Sequence, residues 1–155
     1  MKKKKRSNLS RLLEYAGGYK AFTITGCALS GVSAVLSLLP YVFIWLVIRD
    51  VFAALPDFSG ASGTTRYGWM AVLFAVISIV IYFAALMLTH LAAFRTARNM
   101  RQAAVEHIVD LPLGFFTSNQ SGRLRKIIDS NADMTEGLLA HQLPDLVGAI
   151  ITPIA

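Results

Sequence analysis

Cysteine is all but missing from this chain of 155 residues: Cys27 stands alone. A single thiol excludes an intramolecular disulfide and a cysteine-based metal centre, and no metal site is expected. Charge is scarce too, at 15% of residues against 55% hydrophobic, which is too apolar for an ordinary soluble domain. A phosphate-binding loop of the form G-x-x-x-x-G-K-[ST] is absent; Gly17-Gly18 and Gly60-x-x-Gly63 lack the lysine that must follow. The chain alone is therefore read as no enzyme, with no catalytic residue. Above all, two stretches, 21–48 and 67–94, hold no Asp, Glu, Lys or Arg. Each exceeds the roughly 20 residues that a helix needs to cross a bilayer. What is present must therefore be read as a membrane protein.

The cations that do occur are placed asymmetrically. Lys2, Lys3, Lys4, Lys5, Arg6, Arg11 and Lys20 precede the first apolar stretch, and Arg95, Arg98, Arg101, Arg123, Arg125 and Lys126 follow the second. Only Arg49 and Arg66 fall between them. The positive-inside rule predicts a cytoplasmic N-terminus and an outer loop at 49–66. The net charge of +6 is thereby explained as a topology signal that also favours anionic lipid headgroups, with membrane lipid as the partner. Nucleic acid is not expected, since no aromatic or specific polar readers accompany the basic tail. A signal peptide is excluded because the first apolar stretch is longer than the 7–15 residues of such a core.

Along the chain, Leu9, Leu12, Leu13 and Ala16 recur at helical spacing, predicting a short amphipathic helix on the inner membrane face that Gly17-Gly18 would end. In the first span Gly26, Ser30, Ser33 and Ser37 share one stripe, which suits close helix packing, a translocation path, or both. Pro40 predicts a kink. Tyr41, Trp45, Tyr67 and Trp69 suit an outer aromatic belt. His90 is the one ionisable residue of the second span, a site of cargo or proton handling or simply an interfacial side chain. Past Phe94 the helical period continues through Ala97, Met100, Ala104, Ile108 and Leu111, predicting an arm of roughly 22 Å that Leu111-Pro112 ends. A polar turn follows, and helical spacing resumes through Leu124, Ile127, Ile128, Met134 and Leu138. The last apolar segment, 143–155, contains Asp145 and is too short to span, so the sequence reads as cut within a third span.

The ordered set Leu111-Pro112-Leu113-Gly114-Phe115-Phe116, then Ser121-Gly122-Arg123-Leu124-Arg125-Lys126-Ile127-Ile128-Asp129, with Asp133 four residues on, resembles the transmembrane domain of exporter-type ATP-binding-cassette (ABC) transporters. The amphipathic start resembles that family's elbow helix, and Leu39-Pro40-Tyr41 its first span. The resemblance implies an all-α membrane fold: tail and elbow helix at 1–20, spans at 21–48 and 67–94 joined by the loop 49–66, cytoplasmic arms at 95–142, and the start of a third span at 143–155. It implies that Thr117, Ser118, Asn119, Gln120, Ser121, Gly122 and Arg123 form a coupling helix docking on a nucleotide-binding domain, with Gly122 permitting a tight turn. ATP and Mg would bind in that domain and no cofactor in this chain. Ser30, Ser33, Ser37 and His90 are the candidate cargo-path residues. A second transporter half would complete a homo- or heterodimer in a bacterial cytoplasmic membrane. Export is the implied direction, although members of the fold also import iron-siderophore complexes.

Two other readings share the basic start and two spans: a membrane sensor and a small membrane adaptor. The short outer loop and the return to an apolar segment at 143–155 argue against the first. The abrupt apolar end argues against the second.

Overall fold

In the computed structural model the chain is helical throughout its ordered elements. The structure describes residues 8–56, 62–112, 114–118 and 121–155, with only the backbone of Thr117 and Ser118. The basic run 2–6, Leu113, Asn119 and Gln120 lie outside the described residues.

Helix α1 (Asn8–Ala16) ends where Gly17 takes φ +54°, a left-handed conformation that glycine adopts without steric penalty. A single 3₁₀ turn, Gly17–Tyr19, then starts α2 (Lys20–Leu36). The first span is two helices rather than one kinked helix, because α2 stops before α3 (Leu39–Ala53) begins. Pro40 has no N–H to return to the Leu36 carbonyl, so the ladder breaks one turn earlier, at Ser37-Leu38. The Ser37 amide bonds Ser33 O at 2.8 Å and the Leu38 amide tightens onto Val35 O at 3.1 Å. Proline then sits in the first turn of α3, where its missing donor is harmless.

Helix α4 (Thr64–Val109) runs 46 residues, about 69 Å, well over twice the hydrocarbon thickness. It lies between Pro56 and Pro112 with no proline of its own. The link between α3 and α4 is shorter than the charge pattern suggests. Arg49 lies over the Trp45 ring at 5.3 Å, and Asp50 Oδ2 accepts from the Gly63 amide at 2.9 Å and the Thr64 hydroxyl at 3.2 Å. The carboxylate thus sits at the positive end of α4, and both helices extend beyond the apolar runs.

After α5 (Gly114–Ser118), α6 (Ser121–Gly137) returns antiparallel to the arm of α4. Arg101 of α4 bonds Asp133 and lies 3.7 Å from Asp129, clamping the two arms together. One π turn, Leu138–Gln142, leads into α7 (Leu143–Ile151).

The buried seam of α4 is built from small residues. Ala71, Ser78, Ala85 and Ala92 recur every seven positions, and Thr89 and Thr96 follow four after the last two. Small side chains let α2, α6 and α7 approach its backbone closely, which in a bilayer takes the place of hydrophobic burial. Large apolar side chains point the other way: Trp69, Val80 and Phe83 are exposed, as a lipid-facing surface requires.

Thr89 stabilises the π turn. Pro144 cannot donate to the Ala140 carbonyl, and the fully buried Thr89 hydroxyl lies 3.1 Å from that oxygen and 3.0 Å from Leu86 O. Thr89→Val, which keeps the shape, is expected to destabilise the protein by about 1 kcal/mol. Thermal unfolding in detergent checks this.

Candidate functional site

Three helices line an open cavity of about 350 Å³. The stripe of α2 supplies Ser30, Ser33 and Ser37, α4 supplies Ser78 and Tyr82, and α7 supplies Asp145. All three serines singled out in the sequence therefore share one wall. They also hold helices together: Ser30 Oγ donates to Pro144 O at 2.9 Å and Ser33 Oγ to Ser78 O at 2.8 Å. Packing stripe and cavity wall are the same residues.

Depth follows from the register. The uncharged stretch 67–94 is centred at residues 80–81, so Tyr82 lies about 2 Å from its middle along the axis. The stretch 21–48 is centred at 34–35, beside Ser33. The Tyr82 hydroxyl donates to Asp145 Oδ1 at 3.2 Å, which brings a carboxylate to the same level. A charged side chain there costs about 2.5–3.5 kcal/mol on insertion scales, so ionisable groups at this depth face a protein interior or water. No Lys, Arg or His is among the described residues lining the cavity.

Every hydroxyl proton on this wall is already committed. Ser37 donates to Ala34 O at 2.7 Å and Ser78 to Ala75 O at 2.8 Å. A carbonyl oxygen cannot donate, so each serine proton is spent on a carbonyl; Ser30, Ser33 and Ser78 are buried, and Ser37 is exposed. Tyr82 gives its proton to Asp145.

His90 is not part of this cavity. Its ring meets His141 edge-on at 4.7 Å between centroids and tilts against Phe94 at 5.8 Å. Tyr82, Ser78 and Asp145 were not singled out as path residues. For Asp145 the signal was available, as a carboxylate within an apolar segment.

The other candidate region is the far end of the arms. Thr117 and Ser118 close α5, while Ser121, Gly122 and Arg123 form the exposed first turn of α6. Gly122 is not at the tight turn expected of it: its backbone is helical, and a Cβ there would meet nothing within 4 Å. Its lack of a side chain is required by no contact among the described residues. Behind this tip Val105 and Ile108 of α4 face Phe116, Leu124 and Ile128 across a cleft of about 380 Å³.

The family model for the ABC transporter transmembrane region matches residues 26–155. The chain belongs to the ABC transporter transmembrane family. It is an integral membrane protein of a transport system, and the sensor and adaptor readings fall away. Among its relatives, the mycobactin import ATP-binding/permease protein IrtA of Mycobacterium tuberculosis is 29% identical over 126 residues, covering 81% of this chain and 15% of that protein. IrtA of Mycolicibacterium smegmatis is 35% identical over 66 residues, covering 43% and 8%. IrtA of Mycolicibacterium thermoresistibile is 29% identical over 66 residues, covering 43% and 7%. This ABC transmembrane chain thus spans only a small part of the length of the curated relatives it matches. No solved structure gives a match.

Proposed function

We propose that this chain forms the opening part of an ABC transporter's membrane domain and transmits ATP-driven movement from a nucleotide-binding domain to the cavity between its spans. The observation that carries the reading is the pair of clamped antiparallel arms, α4 and α6, ending in the exposed turn at Ser121, Gly122 and Arg123. From Arg95 to Val109 the arm is about 22 Å long, so force applied at the tip acts on the spans through a rigid lever. The partner domain would bind ATP and Mg, and a second transporter half would close the cargo path. The distribution of Lys and Arg supports placing the arms in the cytoplasm of a bacterial cytoplasmic membrane. In direction, the names of the relatives support inward transport of a mycobactin-like molecule over the export implied by resemblance alone.

The test is crosslinking from a cysteine at Ser121, with Cys27 replaced by serine, in native membranes. A crosslink to an ATPase domain that changes in yield between nucleotide-free and ATP-bound states is expected. A freely labelled Ser121 position with no such partner in any nucleotide state would overturn the proposal.

A further inference from the structure

We propose that the midplane cavity recognises cargo as a hydrogen-bond donor, through an all-acceptor wall centred on the Asp145 carboxylate, and thereby favours cationic N–H head groups over carboxylates. The inference rests on the transporter reading and adds the chemistry of the cargo end that enters the cavity.

Two independent observations meet here. The first is the direction of the hydrogen bonds. Ser30, Ser33, Ser37 and Ser78 all spend their protons on carbonyl oxygens, and Tyr82 spends its proton on Asp145. Ser30, Ser33 and Ser78 are buried against those carbonyls, so what the cavity offers is the exposed Ser37 oxygen, the Tyr82 oxygen and the Asp145 carboxylate, acceptors that bind N–H or O–H groups and offer nothing to an anion. The second is a carboxyl group without a cationic partner at the membrane's middle. Asp145 receives one hydrogen bond at 3.2 Å, remains exposed, and has no cation beside it among the described lining residues. A carboxylate at that depth requires water or a donor-bearing partner, and a cavity of about 350 Å³ is large enough to admit a small head group. The exposed apolar surface of Ile79, on the same helix, suits the non-polar remainder of an amphiphile.

The experiment uses the full transporter in nanodiscs, with Ser37→Cys as the only reactive cysteine and N-ethylmaleimide as the label. Benzylamine and benzoate, which share a ring and differ in head group, serve as probes. The position is expected to be labelled, since a thiolate forms only in water, and benzylamine is expected to slow labelling at a concentration at least tenfold below that of benzoate. Asp145→Asn should reduce that ratio to within twofold, and Asp145→Glu should retain it. No labelling would mean that the cavity is closed by packing, and an unchanged ratio in Asp145→Asn would mean that the carboxylate does not recognise cargo. Either result overturns the inference. Neither would touch the nucleotide-dependent crosslink from Ser121, which decides the transporter reading separately.

Discussion

Gly122→Val is expected to uncouple ATP hydrolysis from transport in the full transporter, lowering ATP-driven cargo transport in cells at least tenfold while the protein inserts and folds as before. The reasoning starts from the empty space around this residue. A Cβ at Gly122 meets no atom within 4 Å, the backbone is helical with no left-handed strain, and valine is at least as good a helix former as glycine. The chain itself therefore has no means of registering the substitution. A docking surface does, because the three carbons of an isopropyl group added on the exposed first turn of α6 would hold the tip away from a complementary groove. ATPase activity in detergent, melting temperature and cellular uptake, measured together, separate the outcomes. Normal uptake with normal stability would remove residues 117–123 from the coupling role.

The features most readable in the sequence are those set by the solvent. Gaps in charge mark both spans because a bilayer tolerates few ionised groups, and Gly17-Gly18 marks the end of α1 because only glycine adopts the observed φ so cheaply. The long arm follows from unbroken helical period between Pro56 and Pro112. Features set by register between helices were harder to read. The break at Ser37-Leu38 lies a turn before the proline that causes it. The seam Ala71, Ser78, Ala85 and Ala92 is present in the sequence at sevenfold spacing, yet alanines in an apolar run carry little contrast. His90 stood out chemically but packs with His141 outside the cavity, whereas Asp145 became informative only when Tyr82 fixed its depth. The coupling residues were proposed from family pattern, and the tight turn expected at Gly122 is a helical turn instead.

Gly26→Leu is expected to abolish recovery of folded transporter, the largest stability effect of any single change at the small-residue seam. A bare Cβ at Gly26 would lie 2.5 Å from Thr89 Cγ2 and 3.0 Å from the Ala85 carbonyl oxygen. The second neighbour is backbone of α4, so it cannot rotate aside, and α2 itself must move. Moving α2 stretches the 2.8 Å bond from Ser33 to Ser78 O, the 2.9 Å bond from Ser30 to Pro144 O, and the cavity they frame. Overpacking by even single methylenes costs about 1–3 kcal/mol, and leucine adds four carbons at a backbone contact. Gly31 provides the control. A Cβ there would lie 2.6 Å from Ile151 Cδ1, the free end of a flexible side chain that can turn away. Val147 Cγ1, at 3.3 Å, must also give slightly, so Gly31→Ala should lower the melting temperature less than Gly26→Ala does, and Gly26→Leu leaves no monodisperse peak in size-exclusion chromatography. Equal tolerance at both positions would mean that α2 and α4 do not meet at Gly26 in the assembled membrane domain.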